Sequence, residues 1–97
     1  MMVIEKKELI DQVQLFLYEL EKKEVLKESL EWYLINNLKK YVEKLNIAET
    51  SSQIKLATEK FDTFCIESMD WDTPLFKRCS KITELGLKLA RSDFNIL

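Results

Sequence analysis

The sequence predicts an all-α protein, a small antiparallel four-helix bundle, and three observations carry the prediction. Glycine and proline each occur once in 97 residues, as Gly86 and Pro74. Average usage is about 7% and 5%, and a sheet needs turn residues roughly every 8–12 positions. Apolar residues recur at spacings of three and four through four separate stretches, which is the period of an amphipathic helix. The stretches have similar lengths and short polar links, the pattern of an up-down-up-down bundle. At this length the chain is expected to form a single helical domain over residues 1–97.

The first helix is expected over residues 5–23, on Leu9, Val13, Phe16, Leu17 and Leu20, with Ile10 widening the stripe. Glu19 precedes Lys23 by four residues, the favourable order for a surface pair. Leu15 and Tyr18 lie off the stripe and suggest burial on a second side.

The second helix is expected over residues 26–45, on Leu26, Leu30, Leu34, Leu38, Tyr41, Val42 and Leu45, with Trp32 and Tyr33 flanking. No glycine or proline separates it from the first, and Glu21-Lys22-Lys23-Glu24 consists of helix formers. One continuous helix over residues 5–45 is therefore a competing reading, and with it a three-helix arrangement completed by dimerisation. The apolar stripe changes phase between Leu20 and Val25-Leu26, which favours a turn.

Asn46 to Thr50 forms the next link, where Thr50 and Gln53 have the spacing of a capping box. The third helix is expected over residues 51–68, on Ile54, Ala57, Phe61, Phe64 and Cys65. A helix stop and a helix start then meet in Glu67-Ser68-Met69-Asp70-Trp71-Asp72-Thr73-Pro74. Thr73 or Asp72 is the expected N-cap of the fourth helix, with Pro74 at the first helical position, where a missing N–H is harmless. This helix is expected over residues 74–91, on Leu75, Cys79, Ile82, Leu85 and Leu89. Gly86 inside it weakens the helix by about 1 kcal/mol relative to alanine, which points to a close helix crossing. Phe94, Ile96 and Leu97 are apolar enough to fold back on the bundle.

Composition excludes more chemistry than it suggests. The chain has no histidine, so the commonest general base and transition-metal ligand are missing. Glu-x-x-His di-iron sites and histidine-ligated haem are excluded with it. Two cysteines fourteen residues apart, Cys65 and Cys79, do not complete a structural zinc site. One glycine leaves no phosphate-cradling loop. The chain is accordingly expected to be no enzyme, with no catalytic residues, metal or cofactor. It has no run of about 18 apolar residues and no signal-peptide core. No membrane association and a cytoplasmic location are the expectation, with both cysteines as buried reduced thiols.

What remains is binding. Glu21, Glu24, Glu28 and Glu31 follow helical spacings of three and four and would form an acidic ridge suited to a basic partner. Lys22, Lys23 and Lys27 interleave them, so a solvated helix face is the plainer account. Glu67, Asp70 and Asp72 surround Trp71, an arrangement that offers an aromatic anchor in an acidic setting. The plainer account there is a tryptophan plugging one end of the bundle beside two capping acids. Net charge is -2, with ten acids and eight bases in residues 1–50 and seven of each after them. That argues against general nucleic-acid binding, although Lys77, Arg78, Lys81, Lys88 and Arg91 make the fourth helix basic around Glu84.

The functional expectation is a non-catalytic domain that binds another protein through Glu21, Glu24, Glu28, Glu31, Glu67, Asp70, Trp71 and Asp72. Its most concrete form is a bacterial-type immunity protein or antitoxin that neutralises a basic toxin. The alternatives are a structural or regulatory homodimer pairing the first two helices, and a nucleic-acid-associated regulator using the fourth.

Overall fold

The computed structural model describes residues 6–91 and contains four helices: α1 (Lys6–Glu21), α2 (Leu30–Ile47), α3 (Ser51–Ser68) and α4 (Pro74–Arg91). There is no strand among the described residues. Each helix packs on its sequence neighbours, and α1 closes the bundle against α4. The run is antiparallel throughout, as pairs of touching residues show. Lys6 at the start of α1 donates to the Ala48 carbonyl just past α2. Tyr41 meets Thr58, Thr58 meets Gly86, and Arg78 meets Glu19.

Helix 3 and helix 4 occupy the expected residues, because both starts are chemically encoded. Thr50 caps α3 by accepting the Gln53 N–H, and the Gln53 side chain reaches back to the Thr50 N–H, a complete capping box. Thr73 caps α4 by accepting the Phe76 N–H at 3.2 Å, with Pro74 next in line. The first connection differs from expectation. Helix 1 ends at Glu21 rather than at residue 23, and helix 2 starts at Leu30 rather than at residue 26 and runs on to Ile47. The continuous helix over 5–45 and the three-helix arrangement are both excluded.

The physical reason for the late start of helix 2 lies in Glu28 and Ser29. Ser29 accepts the Trp32 N–H and caps α2, while Glu28 takes a left-handed backbone at φ 65°. Leu26, assigned from its spacing to the apolar stripe, therefore sits in the connection and is 75% exposed. A non-glycine residue in the left-handed region costs about 1–2 kcal/mol, and asparagine tolerates it best. Glu28→Asn is expected to raise the unfolding free energy by about 0.5–1 kcal/mol, read from urea denaturation followed by circular dichroism.

The core follows the predicted stripes: Leu9, Val13, Phe16 and Leu20 from α1, Leu34, Leu38, Tyr41 and Leu45 from α2, and matching residues from α3 and α4. Ile35, Met69 and Thr58 are buried in addition. Leu15 and Tyr18 are exposed, so α1 buries one side only. Tyr33 is exposed, and Trp32 and Phe64 are half-buried, so the aromatic residues are not all core as expected. Asn36 and Asn37 stay in the helix by donating to the carbonyls of Trp32 and Tyr33, one turn back.

At the centre, three helices meet around one polar contact. The Tyr41 and Thr58 hydroxyls lie 2.6 Å apart and are buried, and the Tyr41 ring stacks on Phe61 at 5.2 Å. Gly86 lies against both hydroxyl groups, which explains its place in α4. Burial disfavours the phenolate and pushes the Tyr41 pKa up to about 12.

Candidate protein-binding surface

In an antiparallel four-helix run, the first and third connections emerge at the same end. The 22–29 connection and the 69–73 joint therefore share one end of the bundle, and all eight candidate residues belong to it or to the adjoining helix turns. Sequence spacing alone had kept the two groups apart. They do not lie on one helical ridge, however. Glu21 closes α1, Glu24 and Glu28 hang from the connection, and Glu31 sits in the first turn of α2.

The end is acidic as a whole. Residues 19–31 and 67–78 carry eight acids and five bases, whereas the other described residues carry ten bases and seven acids. Some of these charges are already engaged. Glu21 pairs with Lys39 at 3.3 Å, and Glu19 is bound by Arg78. That hydrogen bond, with the guanidinium charge behind it, holds the Glu19 carboxyl below its ordinary range and raises the Arg78 pKa. Glu24, Glu28, Glu31 and Glu67 are exposed.

The 69–73 joint is tightly wound. The Asp70 carbonyl accepts both the backbone N–H and the hydroxyl of Thr73. The Asp70 carboxylate accepts the Asp72 N–H at 3.3 Å, an Asx-type turn. Met69 inserts into the core, so it is Met69, and not Trp71, that plugs the bundle end. Trp71 itself is 60% exposed. It is not loose: its indole N–H donates to the Ile66 carbonyl at 3.0 Å, and its ring stacks on Phe76 with centroids 6.1 Å apart. Ile66 is exposed beside it and Phe76 is half-buried.

Ile66 and Phe76 therefore belong to the candidate surface and were not singled out from sequence. Each stands five residues from Trp71, one before and one after, a spacing that becomes contact only once the joint folds back on itself. A second exposed apolar spot, Leu15 and Tyr18 on α1, has Lys22 placed over the tyrosine ring at 4.5 Å. A small cleft under the first connection is lined by Val25, Trp32, Ile35 and Asn36, with the Glu21–Lys39 pair at its rim.

On α4, Lys77, Lys81, Lys88 and Arg91 are exposed with Glu84 among them, while Arg78 is turned to α1. Among the described residues no group of three or more histidine, cysteine, aspartate or glutamate side chains could hold a metal ion, and no helix is long and apolar enough to cross a membrane. In comparisons with family models, curated proteins and solved structures, the chain shows no significant match.

Proposed function

We propose that the protein is a protein-binding module that engages a basic partner through the end formed by the 22–29 connection and the 69–73 joint. The single observation that carries the reading is Trp71. A large aromatic side chain held in place by a hydrogen bond and a ring stack, yet 60% exposed, has little freedom left to lose on binding. Rigid tryptophans of this kind dominate binding energies where they enter a partner's pocket. The acids around it, Glu67, Asp70 and Asp72, supply charge that favours a basic surface and accelerates encounter. Glu24, Glu28 and Glu31 extend the acidic field from the neighbouring connection.

The most concrete version is an immunity protein or antitoxin that covers a basic toxin. A small bundle that presents a fixed tryptophan among acids at one end suits a role in which the whole activity is to bind and occlude. The test is to isolate the partner from the protein's own host by affinity capture, then measure association with purified components. Trp71→Ala is expected to weaken binding at least tenfold through faster dissociation. The pair Asp70→Lys and Asp72→Lys is expected to slow association, by a factor that shrinks as salt is added. Unchanged kinetics in both variants would sink the reading.

The homodimer alternative draws on the exposed Leu15 and Tyr18 of α1. Sedimentation at low micromolar concentration separates it from the leading proposal.

A further inference from the structure

Two free thiols lie buried between α3 and α4, Cys65 and Cys79, and neither takes part in the surface described above. Their alignment follows from the helix register. Gly86 lies against Thr58 across the α3–α4 interface. Moving seven residues from Thr58 towards the joint leads to Cys65, and moving seven back from Gly86 leads to Cys79. Seven residues make about two helical turns, so in an antiparallel pair the two cysteines face each other. The missing side chain at Gly86 lets the helices approach closely there, which favours the short Cα separation, roughly 4.4–6.8 Å, that a disulfide requires. Both side chains are buried in the same core, Cys65 at 1% and Cys79 at 0% exposure.

We propose that Cys65 and Cys79 are a thiol pair built to close into an intramolecular disulfide, a redox-sensitive staple across the α3–α4 hairpin. The oxidant is a small-molecule disulfide of the oxidised-glutathione class. One cysteine thiolate attacks the oxidant's S–S bond, forms a mixed disulfide and expels one small thiolate. The second cysteine thiolate attacks the protein sulfur of that mixed disulfide and expels the other. Two electrons and two protons pass from the cysteine pair to the oxidant, which leaves as two thiols.

The neighbouring Cys79 thiol and then burial push the Cys65 thiol well above its ordinary range, and both residues are buried. Reaction in the closed bundle is therefore slow, and it proceeds when the hairpin opens locally. The loop that the staple closes, residues 66–78, contains Ile66, Trp71 and Phe76. Oxidation thus restrains the segment that presents the tryptophan.

The experiment exposes the reduced full-length protein to oxidised glutathione, with and without a low concentration of urea. Intact mass under non-reducing conditions is expected to fall by two hydrogens, faster in urea, with the protein remaining monomeric. Trypsin cleaves after Lys60, Lys77, Arg78 and Lys81, which leaves Cys65 in peptide 61–77 and Cys79 in peptide 79–81. These two peptides are expected to travel as one species until reductant is added. The thermal midpoint of the oxidised protein is expected to rise by about 10 °C and to return on reduction. Retention of both thiols, a stable glutathione adduct, a disulfide-linked dimer, or a lowered midpoint would each overturn the proposal. Peptide mapping uses the wild-type chain, so the outcome does not depend on a cysteine variant folding.

Discussion

Gly86→Ala is expected to lower the unfolding free energy by about 2–4 kcal/mol, although alanine is the better helix former by about 1 kcal/mol. A Cβ at this position would stand 2.5 Å from the Tyr41 hydroxyl oxygen and 2.8 Å from the Thr58 methyl, and closer still to the Thr58 hydroxyl. Neither neighbour yields easily. The Thr58 side chain is fully buried and its hydroxyl is engaged by Tyr41, so it has little room to turn. The Tyr41 hydroxyl ends a ring that is stacked on Phe61 and buried. Pushing it aside breaks the 2.6 Å hydrogen bond to Thr58 and strands two hydroxyls away from water. Overpacking contributes about 1–3 kcal/mol and an unsatisfied buried hydroxyl about 1–3 more, so together they outweigh the helix-propensity gain. Urea denaturation measures the change. Adding Thr58→Ala removes two of the three clashing atoms, so the double variant is expected to lose less than the sum of the single losses. Strict additivity, or a Gly86→Ala protein as stable as wild type, would show that the helices are not in close contact there.

Phe16→Ala is expected to have the larger effect, a loss of about 3–5 kcal/mol. Domains of this size have roughly 5–15 kcal/mol in total, so the variant is expected to be partly unfolded at room temperature. Phe16 is 2% exposed in the core cluster, and its ring also carries the Arg78 guanidinium at 4.5 Å. The same guanidinium binds Glu19, so one aromatic ring supports the ionic link between α1 and α4. The magnitudes separate the two roles. Arg78 and Glu19 are both substantially exposed, and water and salt screen an exposed ion pair until little of its attraction is left. Arg78→Ala is thus expected to destabilise far less than Phe16→Ala in the same denaturation series. Equal losses would mean that the ion pair, not the apolar packing, holds α1 in place.

Helix 3 and helix 4 were legible to the residue because their ends carry specific chemistry: Thr50 with Gln53, and Thr73 with Pro74. The first connection was not, because every residue in Glu21-Lys22-Lys23-Glu24 favours a helix. The late start of helix 2 comes instead from a backbone state at Glu28 and from Ser29, whose capping role competes with an apolar period that continues through Leu26. A serine three residues before Trp32 was the available signal. Leu15 and Tyr18 misled for a related reason: size and hydrophobicity do not fix orientation, and both fall on the face opposite the stripe. Gly86 was read correctly, since an isolated glycine in a helix needs a packing reason and has one. For the candidate surface, composition identified the acids and Trp71. What spacing could not reveal was that two distant segments meet at one end, because that follows from topology rather than from local pattern.

That shared end gives the molecule an electrical asymmetry its total charge conceals. The described residues carry fifteen acids and fifteen bases, yet the candidate end holds a surplus of three acids and the remainder a surplus of three bases. The bundle is 42 Å long and 23 Å across, so the imbalance amounts to a lengthwise dipole on a nearly neutral body. A dipole exerts torque before it exerts much net pull. In the field of a cationic surface, the molecule turns its joint end forward at separations of about one screening length, roughly 8–10 Å in physiological salt. On the proposed reading, those acids accelerate an encounter chiefly by orienting the molecule before contact.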